Sequence, residues 1–114
     1  MPTEFDFNQS SEQMFYFFIN GEIGGEILEP GEDWIAAFKD DVCVGARQWS
    51  GAYTDVGVMG DDGESYSQGY MEPGEYPSFK IYDNSTGNIY NTVISNSYPF
   101  TSGMMAMVII ETIE

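Results

Sequence analysis

The sequence contains no histidine. That absence removes the commonest general base, the Ser-His-Asp and Cys-His arrangements, and most zinc sites. Cations are nearly missing too. Lys39, Arg47 and Lys80 stand against 19 acidic residues, for a formal net charge of −16. Such a surface repels phosphate backbones and anionic lipid, which argues against nucleic-acid binding. No apolar run reaches the length needed to cross a bilayer, so membrane insertion is not expected. The single cysteine, Cys43, forbids an intramolecular disulfide, and its place in an apolar run reads as a small buried thiol. The first residues, Met1-Pro2-Thr3-Glu4-Phe5-Asp6, supply neither a basic nor an apolar leader region, so no signal peptide is read. The expectation is a chain made and used without export, or a piece of a longer secreted protein. No stretch carries a capped helical apolar stripe, and no internal repeat is present.

What is present is a series of short apolar runs separated by turn residues. At 114 residues the chain reads as a single domain, 1–114, able to fold without metal or disulfide. Its clearest stretch is Asp33-Trp34-Ile35-Ala36-Ala37-Phe38, the charged triplet Lys39-Asp40-Asp41, and Val42-Cys43-Val44-Gly45-Ala46-Arg47-Gln48-Trp49. Two apolar runs around a charged turn predict a β-hairpin. Ile35 and Ala37 share one face of its first strand, with Trp34, Ala36 and Phe38 on the other. On its second strand Val42, Val44 and Ala46 oppose Cys43, Gly45 and Arg47.

Upstream, Glu4-Phe5-Asp6-Phe7 alternates and predicts a first, edge-type strand. Gln13-Met14-Phe15-Tyr16-Phe17-Phe18-Ile19 is apolar on both faces and predicts a central strand, ended by a tight turn at Asn20-Gly21. Downstream, residues 50–75 read as a long glycine-spaced loop with one or two short strands. Phe79 and Ile81 point inward, Lys80 and Tyr82 outward, on a strand that returns after Asn84-Ser85-Thr86-Gly87. Residues 104–113 are rich in β-branched side chains and predict a last strand, central or in a subunit interface. The fold class is all-β: an antiparallel β-sandwich or jelly roll of about seven to nine strands.

The hairpin, together with Phe79-Lys80-Ile81-Tyr82-Asp83-Asn84-Ser85-Thr86-Gly87-Asn88-Ile89-Tyr90, resembles small β-sandwich modules of bacterial surface and secreted proteins, of the Ig-like and carbohydrate-binding-like kind. The resemblance spans about residues 33–90. It implies a non-catalytic, surface-displayed module and carries no site residues with it. Without a leader, the pattern also fits a phage virion surface protein, since such proteins reach the outside by lysis.

Three candidate sites follow from residue chemistry. Trp49, Tyr53, Tyr66, Tyr70 and Tyr82 are candidates for a glycan-binding surface, because flat rings stack on pyranose C–H groups; core packing is the alternative. Asp61, Asp62 and Glu64, with Asp55 and Glu72 near in sequence, are hard oxygen ligands suited to Ca²⁺. Their spacing is not that of an EF-hand, and a solvated acidic loop is the alternative. Met104, Met105 and Met107 on a two-faced final strand point to core packing, to self-association, or to a contact patch. Asn8-Gln9-Ser10 and Asn84-Ser85-Thr86 match glycosylation acceptors. Paired carboxylates for glycoside hydrolysis leave catalysis as a remainder. The expected function is therefore a binding module for glycans or a surface protein, or else a structural or decoration protein of a virion or similar assembly. The expected location is extracellular or on a virion surface.

Overall fold

The computed structural model describes residues 1–113. The apolar segment after Ser11 forms strand β1, Gln13–Ile23, with Met14, Tyr16 and Phe18 buried and Phe15 and Phe17 half-covered on the opposite side. It is followed by β2 (Glu26–Ile27), β3 (Trp34–Lys39), β4 (Val42–Gln48), β5 (Thr54–Met59), β6 (Ser78–Asp83), β7 (Asn88–Ile94) and β8 (Met105–Thr112). The eight strands form one curled sheet in the order β2-β1-β8-β7-β6-β3-β4, with β5 also on β1. The all-β expectation and the strand number hold. Among the described residues no helix is long and apolar enough to cross a membrane.

Two features fold the sheet into layers. Strand β7 changes partner midway: residues 88–91 pair with β6, and residues 92–94 pair with β8. A strand that switches partners makes a corner between two layers. The first layer holds β5, β2, β1 and β8, and the second β6, β3 and β4. At the opposite side β4 lies against β5, but no ladder joins them among the described residues. A Cβ at Gly45 would collide with the carbonyl oxygen of Gly57, so the seam closes only because position 45 has no side chain. Between the layers Tyr16 and Phe18 meet the ring of Phe79 edge-on, at 5.2 and 5.3 Å between centroids. Ile35, Ala37, Val44, Val56, Ile81, Val108 and Ile110 belong to the same core.

The hairpin at β3 and β4 is as read, with Ile35 and Ala37 in the main core and Ala36 and Phe38 on the outer side. Its second strand departs from plain alternation. Ala37 pairs with Gly45 and Phe38 with Cys43, leaving Val44 as a bulged residue. The bulge resets the phase, so Val44 enters the main core while Cys43 and Ala46 face outward.

Three expectations are corrected. Residues 4–7 form no strand. Thr3–Phe5 is a 3₁₀ turn in which the Phe5 N–H donates to Pro2 O and the Asp6 N–H to Thr3 O, and Phe5 inserts against Ala36, Phe38 and Cys43 on the outside of the second layer. Its alternation reflects side-chain burial without sheet pairing. Asn20-Gly21 is not a turn. Strand β1 runs through it with a bulge at Ile19 against β8, and reverses at Gly24-Gly25, both at positive φ. Gly21 serves packing, since a Cβ there would lie 2.9 Å from Leu28 and 3.2 Å from Ile110. Nor is the sheet wholly antiparallel. Strands β1 and β8 pair in parallel, which the long intervening chain permits.

Candidate functional site

Strand β8 alternates strictly. Ala106, Val108 and Ile110 point into the core, whereas Met105, Met107 and Ile109 stand 69, 57 and 43% exposed on the outer face. The parallel register sets Phe15 beside Met105 and Phe17 beside Met107. Val93 of β7, also exposed, adds to the same side next to Glu111, and Ile109 and Val93 border a shallow hollow of about 170 Å³. One outer face of the sheet is therefore apolar across three strands. A one-sided sheet normally shows polar residues to water, so this group of exposed apolar side chains, interrupted by Asn20 beside Ile109 and by Glu22 and Glu111 beside Val93, marks a contact surface.

Charge lies at the borders of this face. Glu22 and Glu111 are register neighbours at one end. Asp55 sits beside Phe17, and Arg47 reaches it across the seam at 3.5 Å. The other two cations are elsewhere: Lys39 is 2.9 Å from Glu75, and Lys80 lies over the Phe38 ring at 4.9 Å. Glu75 is held below the usual carboxylate range, first by the Glu72 N–H and then by Lys39.

The aromatic candidates do not gather. Trp49 and Tyr70 are buried, 2 and 6% exposed, and have no face to offer a ligand. Trp49 turns inward as β4 ends, where its backbone N–H donates to Asp33 O and its carbonyl accepts from the Gly31 N–H, each at 2.8 Å. The Tyr70 hydroxyl accepts from the Asn8 N–H. Tyr53 and Tyr66 are exposed, and Tyr82 packs half-buried against Phe5, 6.4 Å between ring centroids. Among the described residues no hydrogen bond or ring contact joins Tyr53, Tyr66 and Tyr82.

The acidic loop is tied to itself. Asp62 accepts from Ser11 N–H and Oγ–H, Tyr66 O–H, Ser67 O–H and Glu64 N–H, at 2.7–3.1 Å. The carboxylate is held well below its ordinary range, first by the Ser11 N–H, then by Tyr66 and Ser67. A carboxylate has about four lone-pair sites, so these donors already fill Asp62. Asp61 accepts from the Gly63 N–H and, with Glu64, borders an open hollow of about 370 Å³. Asp55 faces Arg47 instead. Among the described residues no three His, Cys, Asp or Glu side chains form a metal-ligand group. In this arrangement Asp62 anchors the 3₁₀ turn Ser65–Ser67 to the segment leading into β1.

Two further titratable groups are structural. Burial pushes the Cys43 thiol up, away from the reactive thiolate. Burial, and secondarily Tyr76, pushes Tyr16 up to about 12, and its hydroxyl donates to Tyr98 O at 2.8 Å.

A scan against protein-family models and searches of the curated proteins and of the solved structures found no match. The resemblance read from the hairpin therefore reduces to its architecture: an open, curled all-β sheet of generic β-sandwich or half-barrel type. The chain is a small all-β domain without a catalytic motif, as a structural or binding module would be. Sequence reasoning had marked the methionines of the apolar face. It missed Phe15, Phe17, Ile109 and Val93, which join them only through strand register; the available signal was the two-sided apolarity of the first and last long strands.

Proposed function

We infer that the protein is a non-catalytic interaction module that lays the outer face of β1, β8 and β7 against another macromolecule. One observation carries this reading. Met105, Met107, Ile109 and Val93 stand in water on well-paired strands, where polar side chains would serve folding equally well. The separation of Tyr53, Tyr66 and Tyr82, and the burial of Trp49 and Tyr70, favour a protein partner over a glycan. Display on an extracellular or virion surface, as in the Ig-like modules that the hairpin resembles, suits this role. A structural or decoration protein of a virion or similar assembly is the second reading, favoured by the same face used as a permanent contact.

The test is a photo-cross-linking residue placed at position 107, with a control at position 86 in the β6–β7 turn, in the organism of origin. Adducts of defined mass from position 107 alone are expected. Equal labelling from both positions would overturn the reading. Titration against a glycan panel separates the sugar alternative: binding lost on Tyr53→Ala and kept on Met107→Asp would move the function to the aromatics.

A further inference from the structure

We propose that the occupant of this face is a different protein, presenting an apolar surface bordered by Lys or Arg, and not a second copy of the chain. The proposal rests on the interaction reading above and adds the partner's chemistry.

The borders decide it. Glu22 and Glu111 sit side by side at one end of the stripe, on the same face as Phe15, Phe17, Met105 and Met107. Neighbouring like charges repel unless a cation comes between them. Among the described residues no side-chain cation supplies one. Lys39 is engaged by Glu75, Lys80 lies over Phe38, and Arg47 faces Asp55 at the β5 side of the stripe. A second copy brings the same shortage. With a two-fold axis along the strands, each Glu22–Glu111 pair would meet its own copy. With the axis across them, it would be pressed onto the apolar Phe15–Met105 end. Either arrangement desolvates carboxylates without a counter-charge, which is strongly unfavourable. Two bodies of net charge −16 also repel at contact distances, inside a Debye length of about 8 Å. A partner with a basic border removes both costs and gains the burial of the apolar stripe.

The probes are an amphipathic helical Leu/Lys peptide and its Leu/Glu counterpart, titrated into the full chain by calorimetry. The Leu/Lys peptide should bind and the Leu/Glu peptide should not. Met107→Asp should weaken Leu/Lys binding by about tenfold or more. Diffuse attraction to an acidic protein predicts the opposite, because that substitution adds negative charge. Glu111→Gln should weaken binding several-fold, while Glu26→Gln, off the face, should leave it unchanged. Met107→Gln repeats the test if the Asp variant does not fold. Equal binding of both peptides, or Leu/Lys binding indifferent to position 107, would overturn the proposal. So would a dimer in sedimentation that Met107→Asp dissociates, although that result would leave the interaction role standing. Neither peptide binding, together with no cross-link from position 107, would sink both readings.

Discussion

The two layers of the sheet have outer faces of similar chemistry and opposite fate. On the second layer, Ala36, Phe38 and Cys43 turn outward and are sealed by Phe5, which the chain's own first turn delivers onto them. On the first layer, Met105, Met107 and Val93 turn outward and none of the described residues covers them. Both faces come from strands that are apolar on both sides, so the hydrophobic pattern is the same. The difference lies in whether a nearby stretch of the same chain is free to act as a lid. A covered face contributes to the fold, and an uncovered one is left for contacts outside it.

Breaking the lid should have the largest effect. Phe5→Ala removes a wholly buried ring that meets Phe38 edge-on at 5.9 Å, and should cost about 3–5 kcal/mol in urea unfolding. A loss below 1 kcal/mol, on the order of a surface change, would show that the face is not sealed by Phe5. Next comes the seam that keeps the two layers together. Gly45→Ala drives a methyl into the Gly57 carbonyl and should cost about 1–3 kcal/mol, read as a lowered melting temperature. The open face should be far more tolerant. Met107→Ala should change stability by less than about 1 kcal/mol while reducing the binding of a hydrophobic dye. A large destabilisation there would mean that Met107 belongs to the core.

The smallest effect concerns the Asp62 loop and depends on pH. The folded Asp62 is shifted below the ordinary carboxylate pKa of about 3.9, so its contribution is complete above that value and fades as pH falls through its lower folded value. Asp62→Asn lacks the contribution at every pH. The stability gap between the two proteins should therefore be constant near neutrality and shrink toward about pH 2. A gap independent of pH over that range would assign the loop's order to its neutral hydrogen bonds alone.

Much of the fold could be read locally. The β3–β4 hairpin was visible because two apolar runs flank Lys39-Asp40-Asp41, and β8 was visible as a strand because Val108, Ile109 and Ile110 are β-branched. Pairings between distant segments were not visible. The parallel register of β1 with β8, the change of partner along β7 and the insertion of Phe5 each depend on segments far apart in sequence. The same limit applied to the site. Met104, Met105 and Met107 stood out by composition, but their union with Phe15, Phe17 and Val93 is a product of register. Tyrosine and tryptophan suit cores and surfaces equally, so no local pattern separated buried Trp49 from exposed Tyr53. Asp62 reads as a ligand in the sequence because two of the donors that fill it come from Ser11, 51 residues away, and join those of Glu64, Tyr66 and Ser67 only in the fold.

The position of β8 has a consequence for biosynthesis. This last strand lies between β1, which is made early, and β7. Until residues 105–112 have left the ribosome, β1 and the end of β7 keep raw hydrogen-bonding edges flanked by exposed aliphatic and aromatic groups. The β1–β8 and β7–β8 ladders therefore cannot form until residues 105–112 have been made, and until then those edges are open to wrong pairing.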